Sequence, residues 1–82
     1  MTYRIVYDKP AVKFLRKQPQ DKREWIMAAI HKLPNSGDIK PLAGRDGEYR
    51  LRIGSYRVIY SIDHDVLIVR VLEIGNRGDV YK

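Results

Sequence analysis

The residues with the clearest chemical capacity are arginines set at alternating positions. In YRLRIGSYRVIY, residues 49–60, Arg50 and Arg52 precede a Gly54-Ser55 pair and Arg57 follows it. A two-residue hairpin turn at Gly54-Ser55 pairs Ile53 with Tyr56, Leu51 with Val58 and Tyr49 with Tyr60, and sets Arg52 directly opposite Arg57. Like charges opposed across a sheet repel unless an anion lies between them. Guanidinium groups keep their charge and offer forked donors that fit phosphate oxygens. RNA supplies such an anion and can be cut without a metal. Its 2′-OH attacks the neighbouring phosphate if one group takes the proton, another steadies the added charge, and a third protonates the leaving oxygen. Arg57 and Arg77 suit the charge-steadying role, and Tyr81 is the candidate for proton transfer, since neighbouring cations favour phenolate. On the residues alone other uses stand beside these: arginines as a solvated face, and Tyr81 as a stacking platform for a base or an anchor on the sheet.

Composition agrees with a polyanionic partner. Sixteen Lys and Arg against ten Asp and Glu give a net charge of +6 over 82 residues, which favours nucleic acid, an anionic surface or an acidic protein. There is no cysteine, so disulfides and thiolate metal sites are excluded and a reducing cytoplasm is the expected location. Asp63, His64 and Asp65 read as a tight turn instead of a metal site, and no Gly-rich phosphate loop or Ser-His-Asp set is present. No cofactor is expected. The first ten residues alternate in polarity, unlike a secretory signal. The longest uncharged apolar run, 66–69, is far short of the ~20 residues that span a bilayer.

These side chains need a scaffold, and the chain reads as one domain over residues 1–82. Thr2 to Tyr7 alternates as a half-buried strand. Asp8 is placed to cap a helix with Pro10 in its first turn; Ala11, Phe14 and Leu15 form its apolar face, and Lys9, Lys13, Arg16 and Lys17 its outside. After Pro19, Asp21 and Glu24 have the spacing of a reciprocal cap for a second helix carrying Ile26, Ala29, Ile30 and Leu33, which Pro34 ends. Residues 34–47 read as an irregular connection with Ile39 and Leu42 attached to the core. The hairpin follows, then a turn at Asp63-His64 and a last apolar strand from Val66 to Ile74, interrupted by Arg70. A two-residue turn there sets Arg70 across from Arg57. The predicted architecture is α+β, β-α-α-β-β-β, with two N-terminal helices packed on one face of an antiparallel sheet. The other face holds Arg50, Arg52, Arg57 and Arg70, with Arg77 and Tyr81 arriving at its end.

This order of elements, the YRLRIGSYRVIY centre and the IGNRGDVY tail together resemble the RelE/ParE superfamily of type II toxins, and its RelE-like branch more closely. The resemblance covers essentially the whole chain. It implies a ribosome-dependent endoribonuclease that cuts mRNA in the decoding site and inhibits translation. It also implies an acidic antitoxin, encoded by an adjacent gene, that holds the toxin inactive and alone links it to operator DNA. By the same resemblance Arg57 matches the arginine that grips the scissile phosphate, Arg77 the tail arginine and Tyr81 the tail tyrosine near the reacting nucleotide. Arg50, Arg52 and Arg70 are assigned to RNA phosphates. Arg50 and Arg52 fall where RelE-like toxins often carry lysine, and arginine cannot act as a general base. The histidine that some relatives use has no match at Asn76. Two alternatives follow: a ParE-like DNA gyrase poison, and a catalytically weakened regulatory protein that keeps its antitoxin affinity.

Overall fold

The computed structural model describes residues 2–76; Arg77, Tyr81 and the bend expected in the GNRGDVYK tail lie outside the described residues. Strand β1 (Arg4–Tyr7) leads into helices α1 (Lys9–Arg16) and α2 (Gln20–Ile30). Four strands follow: β2 (Asp38–Pro41), β3 (Glu48–Ile53), β4 (Tyr56–Asp63) and β5 (Ile68–Asn76). They form one five-stranded sheet in the order β1-β5-β4-β3-β2. The α+β architecture with two leading helices is the one read from the sequence, with two corrections.

The first concerns direction. Strands β2 to β5 are antiparallel neighbours, but β1 runs parallel to β5, so the sheet is mixed. From β1 the chain crosses the helical layer to the far edge, then returns through three successive antiparallel pairings, and β5 arrives alongside β1 pointing the same way. Alternation of polar and apolar residues is the same in either direction and cannot reveal this. The second is β2, which lies within the segment read as irregular. Its four residues pair with β3, Asp38 opposite Arg52 and Lys40 opposite Arg50. Pro41 ends it on the sheet edge, where a missing N–H is tolerated.

Both helices cover one face. Ala11 and Leu15 of α1, Ile26 and Ile30 of α2 and the following Leu33 join Leu51, Ile53, Val58, Tyr60, Val69, Val71 and Ile74 in one core. The alternation at 51–60 thus sends every second side chain inward. The caps differ from expectation. Asp8 occupies the N-cap of α1 without a side-chain capping bond, because its carboxylate accepts from Arg70 Nε at 2.9 Å. Helix α2 begins at Gln20 after Pro19, with no side-chain cap; Gln20 donates to Glu24 instead, at 2.9 Å.

The Gly54-Ser55 turn forms where the sequence places it, closing Ile53 against Tyr56. Gly54 has φ +57°, a Cβ there would lie 2.7 Å from the Trp25 ring, and Ser55 is not among the positive-φ residues. That is the pattern of a type II′ hairpin. Trp25 and Phe14 each meet Tyr56 edge-on, with ring centroids 6.1 and 5.9 Å apart. The hairpin end that carries Arg52 and Arg57 is therefore seated on both helices.

Candidate functional site

Two cross-strand rows organise the open face. One runs Asp38, Arg52, Arg57 and Gly75 over β2, β3, β4 and β5; the next runs Lys40, Arg50, Ile59 and Glu73. Arg52 and Arg57 are direct partners, as the hairpin alignment requires. Gly75 beside Arg57 brings no side chain, which leaves that end of the row uncrowded. In the second row Ile59 is fully buried yet lies outside the helix-side core. It forms an apolar floor between Arg50 and Glu73, of the kind that long charged side chains cover with their stems.

Asp38, on the strand that flanks Arg52 on the side away from Arg57, supplies an anion to two of these arginines. Its carboxylate accepts from Arg52 Nε at 2.9 Å and from an Arg50 terminal nitrogen at 3.3 Å. One side chain of β2 thus offsets charge on both Arg50 and Arg52. The Arg50 side chain is only 15% exposed, and its Nε is buried without a hydrogen-bond partner. A buried guanidinium nitrogen left unpartnered marks a site with spare capacity for an acceptor.

Arg50 and Arg57 also line a cleft of about 570 Å³ with Lys40, Arg45 and the segment Pro41–Ala43. Sequence reasoning assigned Arg50 and Arg57 to the site but missed Lys40, Arg45 and Asp38, all of which depend on β2 and its loop. The available signal was the alternation in Asp38-Ile39-Lys40, bounded by Gly37 and Pro41. Prolines and glycines at its borders concealed a four-residue edge strand.

Arg70 is not across from Arg57. The β4–β5 connection is four residues long instead of two, and a bulge shifts the register between Ile59 and Tyr60. Arg70 accordingly pairs with Ser61, and Arg57 with Gly75. Four residues of β4 separate the two positions, about 13 Å of strand, and the Arg70 guanidinium is engaged by Asp8. The structure brings together Arg50, Arg52 and Arg57 and leaves Arg70 apart.

Two phenols lie under the sheet on the helix side. The hydroxyls of Tyr7 and Tyr60 are buried without partners. Burial, with a smaller contribution from the nearby Tyr49 phenol, pushes Tyr60 up to about 12, and burial raises Tyr7 as well. Both phenols favour the neutral form, and neither faces the arginines. Among the described residues, no group of three or more His, Cys, Asp or Glu side chains could hold a metal ion. No helix there is long and apolar enough to cross a membrane.

A small α+β fold presenting a cationic open face defines the class, and comparison with known proteins names the family. The model for the ParE toxin of the type II toxin-antitoxin system parDE matches residues 5–81. The chain belongs to this family of type II toxins, within the RelE/ParE superfamily. It is 31% identical over 85 residues to Toxin RelE3 of Methanocaldococcus jannaschii, covering 95% of this chain and 94% of that protein. Among solved structures it is similar to the archaeal RelE-RelB complex from Pyrococcus horikoshii OT3, with TM-score 0.78 and 29% identity over 96% of this chain and 99% of that one. The RelBE2 toxin-antitoxin complex from Mycobacterium tuberculosis matches with TM-score 0.78 and 25% identity, covering 94% of this chain and 100% of its counterpart.

Proposed function

We propose that the chain is a ribosome-dependent mRNA endoribonuclease of the RelE kind, acting in the cytoplasm and held in check by an acidic antitoxin from a neighbouring gene. The observation that carries this reading is the convergence of Arg50, Arg52 and Arg57 on one open face, with an unpartnered Arg50 Nε and a cleft reaching Arg57. The RelE names of the relatives and the RelE-RelB complexes among the structural neighbours support it. Arg57 grips the scissile phosphate and offsets the charge that grows on it as the 2′-OH attacks. Arg50 and Arg52 hold flanking phosphate oxygens, and Arg70, already engaged by Asp8, is a distant contact at most. Arg77 adds a second charge-steadying group, and Tyr81 serves in proton transfer or base stacking. No arginine takes the 2′-OH proton, so that step falls to Tyr81 or to a ribosomal group. A positively charged surface draws a partly disordered acidic antitoxin, which folds as it binds.

Induced expression should stop translation and leave transcripts with discrete new ends by primer extension, and Arg57→Ala should strongly reduce both effects. Killing with intact mRNA would refute the nuclease. A second reading, a ParE-like gyrase poison, has the matched family model in its favour. It predicts DNA breaks and an SOS response that Arg57→Ala does not relieve. Harmless expression combined with tight antitoxin binding would instead identify a regulatory chain without cleavage.

A further inference from the structure

The cleft beside the arginine rows has walls that no role in the reaction yet uses. We infer that it is a nucleotide subsite: Lys40 and Arg45 hold the phosphate of the RNA nucleotide next to the scissile one, and its base lies over Pro41–Ala43. This rests on the nuclease reading and extends it beyond β3 and β4.

Size, continuity, charge and rigidity all bear on the assignment. A cleft of about 570 Å³ falls within the range of small-ligand sites and accommodates one nucleotide. Arg50 and Arg57 line it too, so a nucleotide seated there adjoins the phosphate assigned to Arg57. The charged side chains lining it, Lys40, Arg45, Arg50 and Arg57, are all cationic; among the described residues Glu48 meets Arg45 at 2.7 Å and Asp38 meets Arg50 at 3.3 Å. The outer wall is built before any ligand arrives. Leu42 N–H donates to Glu48 C=O at 3.0 Å, Glu48 N–H to Arg45 C=O at 3.1 Å, and Arg45 N–H to Leu42 C=O at 3.3 Å. Such a closed loop lowers the ordering cost of binding.

The other concavities fit RNA less well. The hollow at the β4–β5 turn carries Asp63 and Asp65, which repel phosphate. The groove formed by Tyr7, Lys9, Val12, Lys13 and Arg16 follows α1, on the opposite layer from Arg57.

A short single-stranded RNA made uncleavable by 2′-O-methyl groups tests the assignment, with its affinity for the whole chain measured by fluorescence anisotropy over a range of salt. Lys40→Ala/Arg45→Ala should weaken binding and reduce the slope of log affinity against log salt by about 0.7, the value for one phosphate contact on a single strand. Lys13→Ala/Lys17→Ala removes the same charge from the exposed side of the first helix and should leave the slope unchanged. Equal slopes for the two double variants, or no RNA affinity in the parent chain, would overturn the subsite. Cleavage on programmed ribosomes separates this failure from the larger one. If parent and Lys40→Ala/Arg45→Ala cut equally well, the subsite is lost and the nuclease stands. If the parent cuts nothing, the nuclease reading is lost and the anisotropy slopes alone judge RNA binding in the cleft.

Discussion

On the helix side of the β3–β4 ribbon, Leu51, Ile53, Val58 and Tyr60 are buried against a continuous apolar layer. On the other side of the same two strands, Arg50, Arg52 and Arg57 stand beside Asp38, a carboxylate contributed by a different strand. The inner face is stabilised by area removed from water, which is indifferent to the direction of contacts. Charge pairing holds the outer face together, and it depends on where each group points. Damage to the inner face should therefore appear as lost stability with any surviving activity roughly in proportion, whereas damage to the outer face should appear as lost function in a folded protein.

Ile26→Ala, which opens a cavity under the sheet at a fully buried position, should cost about 2–5 kcal/mol, read as a fall in the urea midpoint. Arg57→Ala should slow cleavage by about 10²- to 10³-fold, the range for removing one group that stabilises charge in a transition state, while its urea midpoint stays near the parent's. A comparable stability loss in Arg57→Ala would erase the contrast between the faces. Tyr60→Phe removes a buried hydroxyl that lacks a partner and should stabilise the fold by about 1 kcal/mol. Its pH dependence sharpens the point. The Tyr60 phenol is raised from 10.0 to about 12 in the fold, so the folded state holds this proton more tightly than the unfolded one. Its contribution to stability is complete below pH 10 and is lost as pH rises through about 12. The Phe variant should lose less stability over that window, and parallel curves would refute the shift.

A small stability effect is expected for Asp38→Ala. Asp38 is 48% accessible and its closer pair, with Arg52, is exposed on both sides; pairs of this kind contribute about 0–1 kcal/mol. Freed from the carboxylate, Arg50 and Arg52 should bind RNA more tightly, measured by anisotropy at fixed salt. Unchanged or weaker binding would mean that Asp38 orients the arginines more than it occupies them.

The same contrast explains how far the sequence could be read. Burial leaves a periodic trace, so the inward residues of β3 and β4, the Gly54-Ser55 turn and the apolar faces of both helices were legible, as was the Arg52–Arg57 opposition that follows from them. Charge pairing leaves none. Nothing local links Asp38 to Arg52 or Asp8 to Arg70; those meetings are set by the pairing of β2 with β3 and of β1 with β5. The bulge at Ile59/Tyr60 and the four-residue connection before β5 together moved Arg70 away from Arg57. Lys40 went unassigned because β2 is short and bordered by turn residues, and Arg45 because it lies in the loop that follows.

Both margins of the sheet are strands of four residues, β1 and β2, and Pro41 closes the second with a position that has no N–H to give. The β2 rim thus offers few free donors and acceptors to another chain, which discourages end-on-end polymerisation through the backbone there. Growth by strand addition is disfavoured at that margin, which leaves recognition to the faces of the sheet.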